Sequence, residues 1–177
     1  MSETLKGKFT QTKPTDEETA RGAPHFMGVR HVGLLAKDPA SLAIFYRKVM
    51  GMKTVRETPP DSPNGAIVFL ARDPEKEDHD IVLVSNATSA HTAFRVASLG
   101  DLLAFYRWIK EQRVPIKYCL NHAVELSFYF DDPEGHVIEI YWVTGLHHVH
   151  DFYAEPIDLD VPEEQLRREV DRLAAYF

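Results

Sequence analysis

Apolar positions along the chain switch repeatedly between the period of a strand and the period of a helix. Residues 29–36 read as an apolar strand interrupted by His31. Asp38-Pro39 then predicts a helix start, with Asp as N-cap and Pro at the first helical position. Leu42, Phe45 and Val49 share one face of that helix, which is expected to be the buried one, and Gly51 predicts its end. Residues 52–56, 66–71 and 80–85 read as strands, the first two separated by a turn region rich in Pro, Asp, Asn and Gly. The order then repeats: a strand at 91–96, a helix from about Asp101 to Gln112, and strands at 114–120, 125–130 and 137–143. The last two flank Asp132-Pro133-Glu134-Gly135, a tight turn in which Pro133 presets φ and Gly135 takes positive φ at little cost.

The repetition extends to individual residues. H-V-G-L-L-A-K-D-P-A-S-L-A-I-F-Y-R begins at His31, and H-T-A-F-R-V-A-S-L-G-D-L-L-A-F-Y-R begins at His91. His31 matches His91, Leu42 matches Leu102, and Phe45-Tyr46-Arg47 matches Phe105-Tyr106-Arg107, all at one ungapped period. Asp73-Pro74-Glu75 likewise answers Asp132-Pro133-Glu134. Several matches at a single period indicate an internal duplication. The expected fold class is α+β: two tandem βαβββ modules, at 28–90 and 91–145, forming one curved mixed sheet around a metal site. Neither module covers its sheet alone, so the two must share a core. Residues 1–27 read as a polar N-terminal arm, either loose or held as a strap by a partner. Residues 146–177 read as a C-terminal extension, with a helix starting near Asp160 and Glu163 completing a capping box. Leu166, Val170, Leu173 and Phe177 fall at helical spacing, a stripe for docking onto the domain or onto a sister subunit.

Composition narrows the function. The 177-residue chain is 44% hydrophobic and 27% charged, ordinary values for a soluble globular protein. A net charge of −7 argues against nucleic acid as a partner, because that binding needs clustered Lys and Arg. No apolar run reaches membrane-spanning length, and the N-terminus lacks the layout of a signal peptide. Cys119 is the sole cysteine and is read as an inert thiol in a strand, consistent with a reducing cytoplasm. Exposed sheet edges and the last helix lead us to expect a homo-oligomer.

The duplication gives meaning to one anomaly. Glu139 lies between Ile138 and Ile140 in an apolar strand, where a carboxylate is costly unless something positive meets it. His31 and His91 open equivalent strands, which a pseudo-twofold axis brings together mid-sheet. The counterpart of Glu139 in the first copy is about Val82, so the fourth symmetric position is apolar. Two imidazoles and one carboxylate on one face suit Fe(II), Mn(II) or Zn(II), and leave positions open for chemistry as in non-haem iron oxygenases. His147, His148 and His150 sit in a loop-like stretch and read as solvated surface, as does His136 in the turn.

These residues carry a resemblance. The duplicated βαβββ pattern, with His opening each half and D-P-x-G-x-x-x-E closing the second, resembles the vicinal oxygen chelate superfamily over about residues 29–145. Within it, His122, Phe128, Tyr129, Asp132, Pro133, Gly135 and Glu139 are spaced like the signature of extradiol ring-cleavage dioxygenases. Leu120 and Asn121 depart from that signature, which usually has a small or β-branched residue and often an Arg there. The resemblance implies that His31, His91 and Glu139 hold Fe(II), with Mn(II) compatible. It implies His79 as acid/base, and His122 and Tyr129 beside the substrate. It further implies a catechol-type aromatic diol opened by O2 next to the diol. Glyoxalase and epimerase types usually carry a carboxylate where Val82 stands, and fosfomycin-type thiol transferases generally have Thr where Gly33 stands. Bleomycin-sequestering proteins use a similar fold without metal, so the His, His and Glu count against a non-enzymatic binder.

Overall fold

The computed structural model describes residues 22–76, 78–146 and 153–175. The expectations for His147, His148, His150 and Phe177, and for most of the N-terminal arm, therefore lie outside the described residues. The first half is β1 (Val29–Leu35), α1 (Pro39–Met50), β2 (Lys53–Thr58), β3 (Ile67–Ala71) and β4 (Ile81–Val84). The second is β5 (Thr92–Arg95), α2 (Leu99–Glu111), β6 (Ile116–Asn121), β7 (Glu125–Asp131) and β8 (Val137–Val143). A two-residue β9 (Glu155–Pro156) and α3 (Glu163–Ala174) follow. The strands form one curled α+β sheet in the order β2-β3-β4-β1-β5-β8-β7-β6-β9.

The two halves meet where the duplication requires. β1 and β5 pair antiparallel at the centre, each flanked by a parallel strand from its own half. Gly33 stands opposite Val82, and Ala93 opposite Glu139. Because Gly33 and Ala93 are equivalent in the repeat, Val82 is the counterpart of Glu139 in register.

Strand alternation sorts the side chains to two faces. Val68, Leu70 and Leu83 pack with Ala43 of α1. Leu126, Phe128 and Ile140 pack with Leu102, Phe105 and Ile109 of α2. The intervening residues Ile67, Phe69, Val82 and Val84 turn to the opposite face, which also carries Glu139. The local signals act as expected at α1. Asp38 accepts a hydrogen bond from the Ser41 amide at 3.0 Å, Pro39 occupies the first turn, and Gly51 closes the helix at φ 69°. Gly135 makes the hairpin turn at φ 85°.

Two expectations are corrected. In α1, Pro39 and Ala43 are buried and Leu42 and Tyr46 half-buried, whereas Phe45 and Val49 are exposed. The helix is apolar on more than one side, and the sheet packs on the stripe of Pro39, Leu42, Ala43 and Tyr46. At α3, Asp160 does not cap: its carboxylate binds Lys110 Nζ at 2.7 and 2.8 Å and accepts from the Tyr106 hydroxyl at 3.1 Å. The helix starts after Pro162 without a side-chain cap. Its Leu166 and Val170 join the core around α2, and Leu173 packs on Ala123 and Val124, so the stripe docks onto its own domain. No described helix is long and apolar enough to cross a membrane.

Candidate metal centre

His31 on β1, His91 just before β5 and Glu139 on β8 converge from three adjacent strands. His31 Nε2 lies 3.0 Å from Glu139 Oε2 and 3.0 Å from His91 Nε2, and His91 Nε2 lies 3.3 Å from the same oxygen. These three could hold a metal ion together. Ligand bonds of about 2.0–2.2 Å place neighbouring donor atoms of one ion about 3 Å apart, which is the spacing observed, so the donor set fits a dication. His91 Nδ1–H donates to the Ser89 carbonyl at 2.8 Å, which directs Nε2 toward His31 and Glu139. Glu139 is fully buried. Burial alone would raise its pKa, but hydrogen bonds from His31 and His91 hold the carboxyl well below its ordinary range. For His91, burial is outweighed by the hydrogen bond and charge of Glu139, which raise its pKa.

The centre forms the floor of a cavity of about 500 Å3, within the range of small-molecule sites. Ile67, Phe69, Val82 and Val84 give it one apolar wall. All three residues expected to act beside the metal line it. The His79 ring centroid lies 4.2 Å from that of His31, and His79 Nδ1–H donates to Asp78 Oδ2 at 2.6 Å. Burial and the neighbouring His31 lower the His79 pKa to about 4. Asp78 is bound in turn by both Nη atoms of Arg56, at 3.0 and 2.8 Å. Against its own burial, His79 and Arg56 lower the pKa of Asp78 to about 2. His122 Nδ1–H donates to the Tyr153 carbonyl at 3.0 Å, and its Nε2 lies 3.3 Å from the Tyr129 hydroxyl. Burial lowers the His122 pKa. The Tyr129 hydroxyl donates to Glu139 Oε1. Burial and the charge of Glu139 raise its pKa well above the phenol range, so it stays protonated. Tyr153 and Ala154 close the cavity from the C-terminal side.

His136 is exposed, as expected, and its ring binds Asp132 at 2.9 Å. Cys119 is half-buried and away from the cavity lining, and burial pushes its thiol to about 11. Glu125, a buried cavity-lining carboxyl on β7, is not among the residues expected from the sequence. Its signal was alternation: Glu125, Ser127 and Tyr129 share one strand face. Arg56 is not among the expected residues either; its role depends on Asp78, a partner on a different strand connection.

Similarity to known proteins follows the same lines. The chain is 27% identical over 122 residues to biphenyl-2,3-diol 1,2-dioxygenase 3 of Rhodococcus globerulus, covering 62% of this chain and 60% of that one. The 2,3-dioxygenase LapB from Pseudomonas sp. KL28 superposes with a TM-score of 0.60 at 22% identity, over 82% of this chain and 51% of that one. The Mn(II)-bound glyoxalase from Novosphingobium aromaticivorans superposes with a TM-score of 0.58 at 19% identity, over 81% of this chain and 43% of that one. The chain thus spans about half the length of these relatives, whose activities differ. A model of the glyoxalase/bleomycin resistance protein/dioxygenase superfamily matches residues 28–140. Sharing that model over more than half its length, a duplicated sheet and a His, His, Glu cluster, this chain belongs to the glyoxalase/bleomycin resistance protein/dioxygenase superfamily.

Proposed function

We propose that this protein is a metal-dependent extradiol dioxygenase that opens the ring of a catechol-type substrate with O2. In this reading His31, His91 and Glu139 hold Fe(II), with Mn(II) as the alternative ion. The observation that carries it is the convergence of those three side chains, with apolar Val82 at the fourth symmetric position. When bound, the ion supplies Lewis acidity and a route for electron transfer between the diol and O2.

The chain's own residues have separate tasks. The apolar wall receives the ring and excludes water. A diol must lose a proton to bind as an anion. His79 is neutral, its Nδ1–H is held by Asp78, and its Nε2 is the atom that takes the proton. The Tyr129 hydroxyl donates to Glu139 and so steadies that carboxylate, while His122, its Nδ1–H held by the Tyr153 carbonyl, offers Nε2 as an acceptor beside the substrate. The ring bond next to the diol breaks and both atoms of O2 enter the product.

Gly33 supports this reading over a thiol transferase. A Cβ on residue 33 would lie 2.7 Å from His91 Nδ1, so the Thr usual in those enzymes has no room here. A cytoplasmic setting and a homo-oligomer belong to the same proposal. A second copy of the chain would cover the exposed apolar face of α1, where Ile44, Phe45, Val49 and Met50 stand open.

The test is metal analysis of protein loaded anaerobically with Fe(II), followed by catechols and then O2. About one iron per chain is expected, lost in His31→Ala, His91→Ala and Glu139→Ala, with a yellow ring-opened product on aeration. Thiol-dependent modification of fosfomycin without reaction on any catechol would sink the proposal.

A further inference from the structure

One cavity side chain has no task in the chemistry above. Glu125 is only 7% exposed, yet its carboxyl lines the cavity. Its oxygen lies within 4.8 Å of a nitrogen of His122 and a carboxylate oxygen of Glu139. Among the described residues, only burial and neighbouring charges, and no hydrogen bond, act on this carboxyl. Of the cations lining the cavity, Arg56 binds Asp78 through its Nη atoms and leaves only Nε unpaired, and Lys117 binds Asp131 at 2.7 and 2.9 Å. A buried carboxyl without a hydrogen bond is destabilising, and a donor on a ligand in the cavity would offset that cost. The facing wall of Ile67, Phe69, Val82 and Val84 offers only apolar contact to the rest of a ring.

We propose that Glu125 is a specificity-determining residue, accepting a hydrogen bond from a hydroxyl or amino substituent on the ring carbon beside the diol. The inference rests on the dioxygenase reading and names its substrate class: 1,2,3-trihydroxy or 3-amino-1,2-dihydroxy aromatics rather than 3-alkyl catechols. Position is set by the nearness of Glu125 to His122 and Glu139, and chemistry by the acceptor. A carboxyl oxygen accepts in either protonation state, so the selection does not depend on pH. A site that hydrogen-bonds a substrate hydroxyl rejects the analogue lacking it, because the buried group is then left unpaired.

The experiment uses Fe(II)-loaded full-length protein. Dissociation constants for catechol, 3-methylcatechol and benzene-1,2,3-triol are measured without O2, and kcat/KM for each is measured with it. Wild type is expected to bind the triol at least tenfold more tightly than 3-methylcatechol. Glu125→Leu should abolish or reverse that ratio at unchanged iron content, and Glu125→Gln, which keeps an acceptor, should retain a preference. A wild type without the preference overturns the assignment before any variant is made. Equal ratios in wild type and Glu125→Leu overturn it too, leaving the dioxygenase reading standing. So does a second metal ion per chain that Glu125→Gln removes, which would make His122, Glu125 and Glu139 a cation site. Failure of every form to bind any diol overturns both.

Discussion

His79 shows how one residue's environment sets its chemistry. Its ring sits between His31, tilted at 45°, and the edge-on ring of Phe69, with centroids at 4.2 and 5.1 Å, and is tied to Asp78. Burial and the neighbouring His31 lower its pKa from 6.5 to about 4, so between those values the ring is neutral in the folded protein and protonated in the unfolded chain. Between those values the unfolded state binds more protons, and stability must therefore rise with pH. The contribution is complete above pH 6.5 and is lost as pH falls toward 4; at 1.36 kcal/mol per pKa unit it amounts to about 3 kcal/mol. Asp78 acts in a lower window. Its folded pKa of about 2 stabilises above 3.8 and is lost as pH falls toward 2. In metal-free protein, urea unfolding of wild type and His79→Gln at several pH values should give curves whose difference changes by that amount between pH 6.5 and 4. A flat difference would mean that the ring is not held neutral.

At the scale of elements, the centre depends on how closely β1 and β5 approach. Gly33 N–H donates to the His91 carbonyl at 2.8 Å, and His91 N–H donates back to Gly33 at 3.2 Å. A Cβ at 33 would lie 2.7 Å from Nδ1, 2.9 Å from Cε1 and 2.9 Å from the backbone nitrogen of His91. Backbone cannot yield there, so the ring must turn or the strands must part. Gly33→Ala should weaken Fe(II) binding by roughly 10–100-fold, the usual cost of disturbing a ligand's support, with a native circular dichroism spectrum. Unchanged affinity would show that β1 and β5 can separate without moving the ligand. Elements of this kind were legible in the chain because the duplication fixed their equivalence: the pairing of β1 with β5 and the match of Val82 with Glu139 both follow from one period. The caps of α1 and the turn at Gly135 were legible from local chemistry. The buried face of α1 was not, since Leu42, Phe45 and Val49 and the alternative Pro39, Leu42, Ala43 and Tyr46 are both helical stripes, and only the sheet beneath chooses between them. Asp160 read as a cap for α3 because nothing local reveals Lys110, fifty residues earlier, as its partner.

For the whole molecule, the two halves differ most in what covers their helices. Phe105 and Ile109 of α2 are 8% exposed each, packed in a core that includes Leu159, Leu166 and Val170 of the C-terminal extension. Their counterparts Phe45 and Val49 on α1 are 52% and 65% exposed, beside exposed Ile44 and Met50. The duplication therefore leaves one copy of the same apolar face without the cover the other has. Contiguous apolar surface of this kind marks an interaction site. α1 lies over the end of the sheet where β2 is the edge strand, so a two-fold contact between copies would cover the helix face and the open edge at once, each patch meeting itself. Light scattering after size exclusion should give twice the 20.2 kDa chain mass. Phe45→Glu with Val49→Glu should bring the mass down to one chain, because two buried charges per copy have no partner across the two-fold axis. Iron content should not change, since α1 lies on the opposite side of the sheet from His31, His91 and Glu139. A wild-type protein that elutes as a single chain at every concentration would refute the contact, and a dimer that survives both substitutions would move it to another face.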